Sequence, residues 1–180
     1  MVLTKEDAEL FYKLFFPLLN YVNNKFQINS DIQKLYYGKS VDPRAIKEIA
    51  DRLWENTELI DEYLAEKQLP EEHKNIILSW KKRISGKFIV ERHLKKGTVF
   101  IQSENSEVYL VSGIISSWEE MLCGMPLPVI INTVLIPFRN VIISDGLVSV
   151  SNVFFGKNLR SEFKDIYLSA KKTGNIHRSL

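Results

Sequence analysis

Residues 132–155 read NTVLIPFRNVIISDGLVSVSNVFF, three short runs rich in β-branched and aromatic residues, separated by turn formers. Val134, Leu135 and Ile136 are cut off from Val141, Ile142 and Ile143 by Pro137, Phe138, Arg139 and Asn140, which predicts two strands joined by a tight turn. Asp145-Gly146 predicts a type I′ hairpin, because both central residues of that turn need positive φ and this pair tolerates it. In the third run Leu147, Ser149, Ser151 and Val153 alternate with Val148, Val150, Asn152 and Phe154, so the strand should have a core side and a wetter side. The stretch holds no recognisable catalytic signature.

The period of two extends upstream. Residues 88–94, 98–103 and 108–115 read as strands joined by Lys95-Lys96-Gly97 and by residues 104–106, most economically as a meander. Ser117 should cap a short helix, with Glu119 and Glu120 in its first turn, that Gly124 stops before a Pro126-Leu127-Pro128 linker. About six strands then form a strongly bent or barrel-like, mainly antiparallel sheet. Asn158 should cap a last helix whose stripe of Leu159, Phe163, Ile166, Tyr167 and Ala170 closes the sheet up to Gly174. The tail, 175–180, is expected to fray.

In the first half the period is helical. Thr4 and Asp7 resemble a capping box, and Leu10, Phe11, Leu14, Phe15, Leu18 and Leu19 predict a helix over 5–24, which Pro17 should kink or shorten. Residues 28–41, with Tyr36, Tyr37 and Gly38, lack a period and read as a loop or short helix. Asp42-Pro43 opens a helix with Ile46, Ile49, Ala50, Leu53 and Trp54 on one face, ending near Asn56. Thr57 caps the next, and Pro70 opens a fourth that carries Ile76, Ile77, Trp80 and Ile84 to Gly86. The reading is α+β: a helical domain over 1–85 packed on a sheet domain over 86–180.

A chain of 180 residues, 45% hydrophobic and 26% charged, is globular and large enough for a real core. One cysteine, Cys123, offers neither an internal disulfide nor a zinc pair, so nothing indicates an oxidising compartment. Lys5, Glu6 and Asp7 precede the first apolar run, which is wrong for an export signal. The uncharged stretch 121–138 is broken by Gly124, Pro126, Pro128, Asn132 and Pro137; it reads as linker plus buried strand, not as a membrane span. Cytoplasm is the expected location and no membrane the expected partner.

Charge divides the halves. Residues 1–80 carry 10 Lys/Arg against 14 Asp/Glu and residues 81–180 carry 14 against 8, giving −4 and +6. Lys81, Lys82, Arg83, Lys87, Arg92, Lys95 and Lys96 form the densest basic run, opposed only by Glu91. A helix C-terminus that welcomes cations, followed by solvated hairpin positions, accounts for the run; so does a patch for phosphate or an acidic partner, joined by Arg139 if the Pro137 turn lies nearby.

Signals for specific chemistry are sparse. There is no GxxxxGK[ST] and no GxGxxG after a strand, and Lys157 with Arg160 at a helix start offers at most a weak anion site. His73, His93 and His177 have no second ligand at metal spacing, so neither a metal nor a cofactor is implied. Glu91, His93 and Asp145 are the one acid/base set for a phosphoester hydrolase, and it requires those three to converge. A strand pattern puts Glu91 and His93 on one face with Arg92 opposed. No GxSxG elbow occurs. Phe88, Phe100, Tyr109, Phe154 and Phe155 would stack bases if exposed, though such residues are commonly core, and no RRM or KH pattern is present. A pocket lined by Trp80, Trp118 and the sheet aromatics would be the default ligand site.

Residues 69–96 (LPEEHKNIILSWKKRISGKFIVERHLKK) and 135–147 (LIPFRNVIISDGL) together resemble a family of bacterial proteins of unknown function, over roughly the last 110 residues. Some relatives append a short cysteine-rich metal-binding tail. This chain stops at Leu180 without one, so the resemblance implies no metal role and no activity, only the domain reading and a bacterial cytoplasmic origin. The functional expectation is a non-catalytic binding or interaction module using the basic surface, its partner a protein or a nucleic acid. A phosphoester hydrolase is the alternative, and oligomeric state is left open.

Overall fold

The computed structural model describes residues 1–29, 43–122, 124–151 and 153–180. The expectations for Tyr36, Tyr37, Gly38, the Asp42 cap, Cys123 and Asn152 lie outside the described residues. The fold is α+β, helical in the N-terminal region and a largely antiparallel sheet with a closing helix in the C-terminal region. Two compact units emerge: residues 9–81, and residues 82–180 together with 1–8.

In the helical unit, α1 (Lys5–Phe26), α2 (Pro43–Glu55), α3 (Glu58–Glu66) and α4 (Glu71–Ser79) follow the apolar spacings of the sequence. α1 begins with Thr4 Oγ1 accepting from the Asp7 amide at 3.1 Å, half of a capping box. It runs through Pro17 as one element and is not shortened there. Thr57 makes no side-chain cap to α3; Asn56 Oδ1 instead accepts the Glu58 amide at 3.1 Å. Phe11, Phe15, Trp54 and Trp80 form the aromatic centre, with ring centroids 5.1 to 6.1 Å apart in the contacting pairs.

The fourth helix stops earlier than its apolar spacing predicts. A single 3₁₀ turn over Trp80–Lys82 ends it, and β1 (Ile84–Leu94) begins at once, so Ile84 and Gly86 belong to a strand. Gly86 has φ +141, a conformation that L side chains rarely adopt, and marks a strand bend rather than a helix stop. β2 (Gly97–Gln102) and β3 (Val108–Ser112) complete the expected meander. α5 (Trp118–Met121) has a full Ser117/Glu120 capping box. β4 (Val129–Phe138) and β5 (Val141–Ser144) form a two-residue hairpin around Arg139-Asn140, with Arg139 at φ +52.

Pro137 is therefore in a strand and not in the turn. Phe138 and Val141 close a two-residue hairpin, so Pro137 and Ile142 form the next, non-hydrogen-bonded pair, and the missing N–H points to the edge where β1 has already stopped pairing at Leu135.

The strand order is β1-β2-β3-β5-β4, and β4 pairs back onto β1, which closes a ring of five strands with β3 and β5 parallel. This is the architecture of an OB-type Greek-key barrel. Phe88, Val90, Phe100, Tyr109, Val111, Ile131, Leu135 and Ile142 fill it, with Trp118 of α5 edge-on to Phe100 at 4.8 Å.

β6 (Ser149–Ser151) departs from the expected hairpin. Leu135 pairs with Ile84 on one side and Ser144 on the other; Ile131 pairs with Phe88 and Val150 in the same way. β5 and β6 thus lie end to end along one edge of β4, and 145–148 is a bulge carrying two extra residues opposite Thr133 and Val134. Positive φ occurs at Gly146 (+85) and not at Asp145, so no type I′ turn forms.

α6 (Lys157–Thr173) is capped by Gly156 without a side-chain bond, not by Asn158. Its Phe163, Ile166, Tyr167 and Ala170 cover Ile89, Val99, Ile101 and Val108 on the outer face of β1, β2 and β3. The tail does not fray: β7 (Ile176–His177) pairs with β3, His177 stacks on Tyr109 at 5.0 Å, and Leu180 packs against the barrel core.

The first residues of the chain belong with the barrel. The Leu3 amide donates to Gly113 O and the Gly113 amide to Met1 O, each at 3.0 Å, and Val2 bridges Gly113. A Cβ on Gly113 would stand 2.0 Å from Ser116 O. Gly113→Ala is expected to lower stability by about 1 to 3 kcal/mol, since the turn after β3 must shift; a urea midpoint unchanged from the parent would contradict this placement.

Candidate functional site

The sequence points to three sets of residues: the basic run, the acid/base set and the sheet aromatics. The barrel treats them differently.

The acid/base set is taken apart by a β-bulge. Val90 pairs with Phe100 but Arg92 with Val99, so Glu91 is an extra residue and the alternation resets there. Glu91 and Arg92 both turn to the outer face, where the carboxylate binds the guanidinium through two oxygens, Arg92 Nη2 lying 2.7 Å from Oε1. The Glu91 side chain keeps only 8% of its exposure. His93 turns inward, its Nδ1 3.0 Å from Thr98 Oγ1. The shared face expected for Glu91 and His93 does not exist.

Asp145 lies elsewhere again. It is 4% exposed within the β5–β6 bulge, where Oδ1 accepts the Leu147 amide at 3.1 Å and lies 3.5 Å from the Thr133 hydroxyl oxygen. Its own amide donates to Val134 O, and Val134 pairs with Ser85. From Ser85 to His93 is a strand path of roughly 20 Å or more. The three groups do not converge, and Asp145 holds a bulge together.

The basic residues are spread along β1. Lys81 belongs to the helical unit and pairs with Asp61. Lys82 is exposed; Arg83 is half-buried and engaged in a further interaction, and burial pulls its guanidinium below its ordinary range. Lys87 is exposed near the start of β1, roughly 20 Å from the hairpin tip that carries exposed Lys95 and Lys96. Arg139 sits in the β4–β5 turn and pairs with Asp7 at 2.7 Å.

Arg92 has a second role that its position in the sequence does not announce. Its guanidinium carbon lies 4.4 Å from the centroid of the Tyr167 ring, a cation–π contact that joins the end of β1 to α6. Helical spacing places Lys157, Arg160, Lys164 and Lys171 along one flank of α6. The opposite flank, with Asp165, Ser169 and Thr173, lines a cleft of about 750 Å³ against the β2–β3 turn. The basic flank therefore lies on the Arg92 side. Lys164 and Lys171 stand about one helical turn before and after Tyr167, and Lys95 roughly 10 Å beyond Arg92. Lys95, Lys96, Lys164 and Lys171 have no ion-pair partner among the described residues, and exposed Leu94 and Leu168 lie beside them.

The lysines of α6 were missed because they are separated by helical turns, so no run appears in the sequence. Their signal is the spacing 157, 160, 164, 171.

The sheet aromatics divide. Phe88, Phe100 and Tyr109 are sealed inside the barrel, while Phe154 is 83% exposed and Phe155 packs on Phe163 at 5.0 Å. In OB-type barrels oligonucleotides and oligosaccharides lie on the outer face of strands 2 and 3. Here α6 occupies that face. Trp118 is a barrel core residue and Trp80 part of the helical aromatic centre, so each is accounted for by packing within its own unit.

Among the described residues no group of three His, Cys, Asp or Glu side chains could hold a metal ion, and no helix is long and apolar enough to cross a membrane. The uncharged stretch 121–138 runs from the end of α5 to the end of β4. No protein-family model, curated protein or solved structure matches the chain.

Burial holds the His93 imidazole below its ordinary range near 6.5, with the N-terminal ammonium adding to the effect and Glu119 opposing it. The unfolded chain then takes up a proton at higher pH than the folded one. His93 thus costs stability as pH falls below about 6.5 and towards its folded value, and costs nothing above that. An NMR titration should place the His93 midpoint below the ordinary value near 6.5, and His93→Gln should flatten the acid limb of a stability profile between about pH 7 and 5. A His93 midpoint at or above the ordinary value would contradict the inward placement.

Proposed function

We propose that this protein is a non-catalytic interaction module that binds an acidic protein partner through a basic surface made by the β1–β2 hairpin and one flank of α6. The observation that supports the reading is the Arg92–Tyr167 contact, which joins the strand leading to Lys95 and Lys96 to the helix that carries Lys164 and Lys171. Glu91 neutralises Arg92 alone, leaving the lysines free for a partner.

A protein partner is favoured over single-stranded nucleic acid for two reasons. The aromatic rings of the first three strands that would stack bases are inside the barrel, and the outer sheet face is under α6. Leu94 and Leu168 are 38% and 42% exposed among the lysines, and such apolar contacts anchor a protein chain within a charged rim.

The test uses a polyglutamate peptide as probe. Affinity should fall as salt rises from about 50 to 200 mM, because the pairs are exposed and screened. Reversing Lys95, Lys96, Lys164 and Lys171 to Glu should weaken binding about tenfold or more, while reversing Lys82 and Lys87 should leave most of it. Equal losses from the two sets would refute a localised surface. Single-stranded DNA binding tighter than polyglutamate would turn the assignment to nucleic acid.

A further inference from the structure

At the start of α6 the basic flank meets an apolar cavity of about 210 Å³. Met125 and Pro128 line it from the connection into β4, Val153 and Phe154 from the chain leaving β6, and Arg160 from α6 itself. β6 pairs, among the described residues, with β4 alone, and the Val153 amide turns back to donate to Ser151 O at 2.9 Å, so the chain leaves the ladder there. Met125, Val153 and Phe154 are 42%, 47% and 83% exposed. Apolar side chains left this open around a concavity mark a contact site.

The chemistry of the cavity selects its occupant. Its volume is below the roughly 300 Å³ at which small-molecule pockets begin, so it holds a single side chain, a ring or a branched aliphatic. Among the described residues that line it, Arg160 alone is charged. Arg160 Nε donates to Phe155 O at 3.0 Å, and the Phe155 ring packs edge-on against Phe163 at 5.0 Å, which holds the guanidinium at the start of its own helix. Its other N–H groups have no partner among the described residues, and they form a fork suited to a carboxylate.

We infer that this cavity takes an apolar anchor residue of the acidic partner, an aromatic or branched side chain that directly adjoins a run of Asp or Glu, with the nearest carboxylate on Arg160. The inference rests on the function proposed above and adds the sequence class of the partner. From Arg160 to Lys171 is about 16 Å along α6, which an extended chain spans in about five residues. An anchor beside five or so acids therefore reaches from the cavity past Lys164 to Lys171. A bilayer surface, flat where the cavity is concave, would leave it unfilled.

The test compares acetylated and amidated hexaglutamate peptides carrying Phe or Ala at either end, titrated calorimetrically in about 50 mM salt. In one of the two orders Phe should bind about tenfold or more tighter than Ala. Met125→Ser combined with Phe154→Ser, both at exposed positions, should remove that advantage while the Ala peptide binds as before and circular dichroism is unaltered. Arg160→Gln should cost the Phe peptide about threefold. Equal affinity for Phe and Ala in both orders, with all binding lost on reversing Lys95, Lys96, Lys164 and Lys171, would overturn the anchor and leave the basic surface standing; no binding by any peptide would overturn both. A Phe advantage untouched by the double substitution would place the anchor elsewhere and refute the cavity. Binding to vesicles containing phosphatidylserine that Phe154→Ser abolishes, with no gain from Phe in the peptides, would assign the exposed ring to a lipid surface instead.

Discussion

One strand closes this barrel. β1 pairs with β4 through Ile84 to Val90 and with β2 through Phe88 to Leu94, so three of its residues are bonded on both sides and its two ends serve different neighbours. A flat strand cannot do that. The bend is supplied by Gly86, at a φ reserved for glycine, and by the bulge at Glu91. Those two irregularities set which face every later side chain of β1 presents. Without the bulge, Arg92 would point into the barrel, an apolar interior where an arginine would have no counterion, and His93 would point at α6.

From that follows the attachment of α6. Arg92 can stack on Tyr167 only because the bulge turns it outward, and Glu91, turned the same way, supplies the counter-charge. Arg92 is partly shielded, so the pair lies between an exposed salt bridge, worth little, and a buried one, whose desolvation is costly. Geometry is its larger contribution: it fixes the β1–β2 hairpin against the helix that covers the outer sheet. A barrel of this class with its second and third strands covered has given up the face on which such barrels bind oligomers. The proposed surface accordingly lies on a flank of that helix.

Much of the fold was legible in the sequence because burial repeats at fixed periods. The helical spacing of Leu14, Leu18 and Leu19, the fully buried β-branched and aromatic run through 98–101, and the Ser117/Glu120 cap each have a local physical cause. The misreadings share a cause too. Ile84 and Gly86 look like a helix end, and Asp145-Gly146 looks like a hairpin, until pairing with β4 across some fifty residues in one case and about ten in the other claims both segments as strand or bulge. Residues 175–180 look like a loose tail until β3 offers an edge. Long-range pairing overrides local propensity wherever the local signal is a single dipeptide. The candidate surface was half legible. Lys95 and Lys96 stand in a run, but their helical neighbours are visible only once α6 has a flank and the flank a side.

The β5–β6 bulge explains why the free edge keeps a defined register. Two extra residues would let β6 slip against β4, and a slip of one residue would exchange the faces of Val150 and Ser151. Asp145 prevents this by accepting the Leu147 amide while its own amide binds Val134, and the Thr133 hydroxyl donates to Leu147 O at 2.9 Å. A carboxylate this buried is costly unless its oxygens are bonded, so the bulge and the acid stabilise each other. The result is a short strand whose register is fixed by β4 while its outer side stays open. Three residues make a weak template alone. Val153 and Phe154 stand exposed just beyond it, past the point where the Val153 amide donates to Ser151 O.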